Sequence, residues 1–118
     1  MIDRITLAVS DMDRMKQFYE AILPVKFYDQ KLSNYALYIA TVGGLEIILC
    51  PKELAGVRAT INTIQLRFAI SNVSRAFENG LAMGGTAITQ PQKRGRAQHA
   101  SLKDPDGNSL EIIEYFEG

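Results

Sequence analysis

The chain is short of several things, and each shortage narrows what it can be. Among 118 residues there is one cysteine, one histidine and no tryptophan. A lone Cys50 cannot close an internal disulfide, so the expected setting is reducing and cytoplasmic. Neither sign of charge is in excess: 13 Lys and Arg balance 13 Asp and Glu. No basic surplus points to nucleic acid, and no acidic tail points to a basic partner. There is also no long apolar run. The most apolar region, YALYIATVGGLEIILC, is interrupted by Gly43, Gly44 and Glu46, and it falls short of the roughly 20 residues a membrane span needs. Residues 1–20 carry Asp3, Arg4, Asp11, Asp13, Arg14, Lys16 and Glu20, too many charges for a leader core. What is there suits one soluble, compact unit, because 47% hydrophobic residues are enough for a core.

The chain also repeats itself. LEII stands at 45–48 and again at 110–113, and ITLAVS at 5–10 aligns with LRFAIS at 66–71. Two matches in the same order point to a duplicated module. In the first half, ITLAV alternates as a half-buried strand does. SDMDRMKQFYEAIL then reads as a helix, with Asp11 as N-cap, Met15, Phe18, Tyr19 and Ile22 on one face, and Pro24 beyond its end. VKFYDQ, NYALYIAT and GLEIILC read as strands, with turns at Ser33–Asn34 and Gly43–Gly44. In the second half, TIQLRFAI is a strand, VSRAFENGLAM a helix ending near Gly84–Gly85, and TAITQP, AQHASLK and SLEIIEYF are strands. The expectation is an α+β chain of two βαβββ modules, 1–50 and 63–118, joined by a linker at 51–62.

Alternation then sorts the faces. Each module must bury one sheet face under its helix. Ile5, Leu7 and Val9, Leu66, Phe68 and Ile70, and Leu110 and Ile112 suit that role. The helix-free faces then hold Arg4, Thr6, Glu46, Ile48, Gln65, Arg67, Glu111 and Ile113. If Ala100 and Leu102 point to the helix, His99 and Ser101 join them. Such a mixture of charge and isoleucine suits the lining of a curved, partly enclosed groove.

V-S-D-M-D-R-M-x-x-F-Y-x-x-x-L at 9–23 and D-P-D-G-N-S-L-E-I-I at 104–113, with the duplicated plan, resemble the vicinal oxygen chelate superfamily. Its members include glyoxalase I, fosfomycin-resistance enzymes, extradiol dioxygenases, methylmalonyl-CoA epimerase and bleomycin-resistance proteins. The resemblance covers essentially the whole chain as a single such domain. It implies curled mixed sheets forming a cup, homodimers, and a metal held by first- and last-strand residues of each module. Carried across, those positions are Arg4, Glu46, Gln65 and Glu111. The sequence departs from the pattern, since neither first-strand position is histidine and a guanidinium cannot ligate a metal. The expectation therefore favours no metal; a divalent ion, if bound, would rest on Glu46, Gln65 and Glu111.

Each candidate has a plain alternative. Arg4, Arg67, Glu46 and Glu111 could simply neutralise one another in ion pairs, or bind a polar or anionic group with Ile48 and Ile113 against its apolar part. Glu111, then Glu46, are candidate general bases. His99 is an acid/base group or a hydrogen-bonded strand residue. Cys50 reads as a small buried hydrophobe. Tyr35 and Tyr38 line a groove or are half-buried strand residues. Lys93, Arg94 and Arg96 form a loop over the cup mouth or a solvated hairpin tip. Asp104 and Asp106 suit a turn and lack the remaining ligands of a calcium loop. Three functions follow: a metal-independent binding protein for a small polar or anionic molecule; a divalent-metal lyase, isomerase or dioxygenase using Glu46 and Glu111; or an association domain whose cup is vestigial.

Overall fold

The structure is a computed structural model, and it describes residues 2–56 and 64–117. Its elements run β1 (Arg4–Val9), α1 (Met12–Ile22), β2 (Tyr28–Leu32), β3 (Tyr35–Val42), β4 (Leu45–Pro51) and α2 (Lys52–Ala55), then β5 (Leu66–Ala69), α3 (Val73–Ala82), β6 (Thr86–Arg94), β7 (Ala97–Lys103) and β8 (Ser109–Tyr115). They form two four-stranded sheets, ordered β1-β4-β3-β2 and β5-β8-β7-β6. In each sheet the first and last strands of a module pair in parallel, and the other neighbours are antiparallel. The βαβββ plan and its repetition are therefore observed.

The two long helices, α1 and α3, form where the sequence signals them. Asp11 accepts from the Arg14 N–H at 3.1 Å, and Asn72 accepts from the Arg75 N–H at 3.0 Å, so both helices start on a side-chain cap. Met15, Phe18, Tyr19 and Ile22 are buried on one face of α1, and Val73, Ala76, Phe77 and Gly80 on one face of α3. These residues share one core with Leu7, Val9, Ile47, Leu49, Ala100, Leu102, Leu110 and Ile112. Each helix covers the inner face of its own sheet, and α1 and α3 also pack against each other. Gly80 and Gly85 make that closeness possible. A Cβ on Gly80 would sit 2.8 Å from Leu102 Cδ1, and one on Gly85 would sit 2.7 Å from Phe18 Cε1 and 2.9 Å from two backbone oxygens.

Some boundaries differ from the sequence reading. β2 starts at Tyr28, not Val25, because Phe27 turns into the core and its N–H is taken by the Glu20 carboxylate at 2.8 Å. β5 is confined to Leu66–Ala69. β6 runs on through Pro91 to Arg94, so Lys93 and Arg94 lie in a strand and only Gly95 and Arg96 turn. Proline is tolerated there because β6 is an edge strand with register shifts on either side of Thr89. In the expected linker, Pro51 ends β4 and Lys52–Ala55 form one helical turn; residues 57–62 lie outside the described residues. No described helix is long and apolar enough to cross a membrane.

Candidate functional site

On the first sheet, the helix-free face carries the candidates in the order alternation gives. Arg4 and Glu46 are partners in the parallel β1–β4 register, as are Thr6 and Ile48. Arg4 Nε lies 2.6 Å from Glu46 Oε1, an ion pair with side chains 59% and 30% exposed. Further along the same face, Leu37, Ile39, Ile48 and Cys50 form a small buried cluster. Leu54 and Ala55 of α2 pack over it. Ile48 thus sits beneath the chain's own helical turn. Burial, and then the nearby Glu53, push the Cys50 thiol above its ordinary pKa of 9.0, which suits an inert packing residue.

The second sheet presents a different surface. Gln65 Nε2 donates to Ser109 Oγ at 3.1 Å. Arg67, Glu111 and Ser101 follow in register across β5, β8 and β7. The next row is Ala69, Ile113, His99 and Gln92. Ala100 and Leu102 are fully buried in the core, which fixes His99 and Ser101 on the opposite face. Among the described residues, Glu111 and Arg67 have no ion pair, although they are neighbours in register. His99 Nε2 is buried and has no hydrogen-bond partner among the described residues. Buried polar atoms of that kind are uncommon and call for a reason.

The remaining candidates have local partners. The Tyr38 hydroxyl donates to Asp13 at 2.5 Å, and chiefly that bond pushes its pKa up to about 12. Tyr35 is exposed. Lys93 Nζ lies 5.6 Å from the Phe116 ring centroid. The DPDGN turn is structural. Asp104, 2% exposed, accepts from the Tyr19 hydroxyl at 2.7 Å, from the Asp106 and Asn108 N–H groups, and from Asn108 Nδ2. Asp106 accepts from the Ser10 N–H at 2.8 Å, while burial pushes its carboxyl above the ordinary value. The turn therefore fastens the second module to α1 and to the end of β1. Sequence reading found this turn but not its anchor, because Tyr19 is 85 residues away. It also passed over α2, whose role depends on what it covers.

The fold matches that of known proteins. The model of the Glyoxalase/Bleomycin resistance protein/Dioxygenase superfamily matches residues 1–112. The chain belongs to that superfamily. A virulence protein of Salmonella typhimurium is 28% identical over 97% of this chain and 83% of its own length. A lactoylglutathione lyase of Arabidopsis thaliana is 30% identical over 90% of this chain, which spans only 41% of that protein. Among solved structures, a glyoxalase/bleomycin resistance protein from Albidiferax ferrireducens superposes with TM-score 0.74 at 26% identity, covering 96% of this chain and 97% of that one. A glyoxalase-related enzyme from Fulvimarina pelagi gives TM-score 0.76 at 18% identity, covering 97% and 87%, and supports the fold alone.

Enzymes of this superfamily often use a divalent metal. The four positions that resemblance assigns to it are occupied here by a guanidinium, two carboxylates and an amide. One carboxylate, Glu46, already holds the guanidinium of Arg4 at 2.6 Å. No three His, Cys, Asp or Glu side chains among the described residues are placed to share an ion. A donor set with no imidazole, and with a guanidinium at one corner, does not fit zinc, nickel or iron.

Proposed function

We propose that this chain binds a small polar or anionic molecule on its helix-free faces without the metal usual in its superfamily. The observation that carries this reading is the buried, unpartnered Nε2 of His99, on the same face as Arg67, Glu111 and Ser101. A ligand group hydrogen-bonded to that nitrogen would remove the cost of leaving it unpaired. Arg67 would attract an anionic group, Ser101 would add a hydroxyl, and Ile113 would meet an apolar part. Glu111 is the first candidate for a general base, since no arginine is bonded to it; Glu46, held by Arg4, is the second. The reading includes a cytoplasmic setting and a homodimer. No described strand of one sheet is hydrogen-bonded to the other sheet, so a second copy facing this one would complete the cup.

The test is metal content on tag-free protein, followed by melting with Mn²⁺, Ni²⁺, Zn²⁺ and Fe²⁺ and then with a panel of small carboxylates and phosphates. The expected result is no stoichiometric metal and a stabilisation of roughly 2.7 kcal/mol by a true ligand at 100 times its dissociation constant. That shift should be lost in His99→Ala. Stoichiometric metal that disappears in Glu111→Gln would overturn the reading. The alternative would then stand: a divalent-metal lyase, isomerase or dioxygenase using Glu46 and Glu111, which the similarity to the plant lyase favours.

A further inference from the structure

A cavity of about 270 Å³ lies where the end of the β3–β4 hairpin meets β5. Ile47, Leu66 and Phe68 reach it from the core side of their strands, and Arg67 and Ala69 join it to the helix-free face. Val42, Leu45, Ile47 and Phe68 give it apolar walls, and Arg67 is its one charged lining residue. Its size falls just below the usual range of ligand cavities, which run from about 300 Å³ upward, so it suits only a small ligand.

Four consecutive residues of β5, Leu66–Ala69, line it. Consecutive residues can face one space only if the space lies along the strand's edge. Among the described residues the edge is open: β5 stands at the end of its sheet and pairs only with β8. The direction of its backbone groups follows from one bond. The Ile70 N–H donates to the Ile113 carbonyl on β8 at 2.8 Å. Backbone groups alternate sides along a strand, so those of Phe68 and Leu66 also face β8. Those of Arg67 and Ala69 face the free edge, and therefore the cavity. The cavity thus has two outward N–H groups and a guanidinium with no acidic partner among the described residues. Donors of this kind, with no carboxylate in the lining, complement an anion.

We infer that this seam binds a small amphipathic monocarboxylate, its carboxylate on Arg67 and the β5 edge and its hydrocarbon part against Val42, Leu45, Ile47 and Phe68. The site shares Arg67 with the ligand proposed for the helix-free faces but none of His99, Ser101 and Glu111, so the positions of the shifts tell the two apart.

The test uses the full chain, ¹⁵N-labelled and titrated with octanoate, with octanol as the uncharged control. Saturable shifts are expected at residues 42–47 and 66–69. Octanol should bind at least tenfold more weakly, and Arg67→Ala should weaken octanoate about tenfold or more. Val42→Trp should fill the cavity and abolish binding. Leu45→Asp, at the half-buried first residue of β4, should do the same by repelling the carboxylate and keeps the test open if the tryptophan variant does not fold. Shifts centred on Ser101, Glu111 and His99 would overturn the seam site and support the helix-free face instead. No saturable shifts at millimolar octanoate would overturn the seam site and leave the other reading untouched. Shifts of the β5 amides on dilution alone would show that a second copy covers this edge, and would also overturn the proposal.

Discussion

The two modules share one plan, but their helix-free faces have gone separate ways. In the first, Leu37, Ile39, Ile48 and Cys50 form an apolar cluster under Leu54 and Ala55, and the two charged candidates, Arg4 and Glu46, are bonded to each other. In the second, no described helix lies over the corresponding face, and Glu111, Arg67 and His99 Nε2 lack partners among the described residues. The turns differ in the same sense. Gly43 and Gly44 alone separate β3 from β4, while residues 104–108 separate β7 from β8 and bind the other module. A duplicated fold can thus assign packing to one copy and leave polar groups unpaired in the other. Unpaired polar groups cost stability, so they belong where a ligand can satisfy them.

The largest effect should come from the turn that joins the modules. Asp104→Ala removes a buried acceptor that the Tyr19 hydroxyl, the Asp106 and Asn108 N–H groups and Asn108 Nδ2 all use. We expect a loss of about 3 kcal/mol or more in urea unfolding. The same contact sets a pH dependence. Burial first, and then Asp104, raise the Tyr19 pKa well above 10.0. A raised phenol keeps its proton in the folded state, so its contribution is complete below pH 10 and falls as pH rises beyond it. Alkaline unfolding should therefore steepen above pH 10, and Tyr19→Phe should flatten most of that slope. Tyr38, raised to about 12, would account for a residue between pH 10 and 12. An unchanged slope in Tyr19→Phe would show that the turn is not what ties the modules.

How much of this was legible in sequence depends on range. The strand faces were readable because a sheet with one covered face imposes a period of two, and Ala100 and Leu102 fixed His99 as firmly as Leu110 and Ile112 fixed Glu111. The helix faces were readable for the same reason at their own period. What lay hidden depends on distant partners. Phe27 left its strand for the core, Tyr19 found Asp104, and KELA, which carries no chemistry in its letters, became a cover for Ile48 and Cys50. DPDGN was readable as a turn, yet nothing local says what a turn will touch.

A smaller effect should come from that cover. Leu54→Ala shortens the side chain that shields the first sheet's apolar cluster, at a half-buried site where the loss should be about 1–2 kcal/mol. Cys50, 5% exposed, reports the opening directly. Its reaction with a thiol reagent should be slow in the native protein and several-fold faster in Leu54→Ala at equal unfolded fraction. Equal rates would mean that α2 does not shield this face, and the contrast between the modules would lose its first half.

The smallest effect is the one that decides how the carboxylates differ. Glu46 and Glu111 occupy matching places in the repeat, but only Glu46 has an arginine on it. Arg4 is 59% exposed, so solvent screens the pair, and a double-mutant cycle of Arg4→Ala and Glu46→Gln should give less than about 1 kcal/mol of coupling. A matching cycle on Arg67 and Glu111 should give none, because register neighbours that are not bonded have little to lose. A weak pair on the first sheet means that Arg4 could leave Glu46 at little cost when a ligand arrives. A coupling of several kcal/mol would instead make Arg4–Glu46 a fixed part of the fold, and Glu111 alone would remain as the carboxylate free to act.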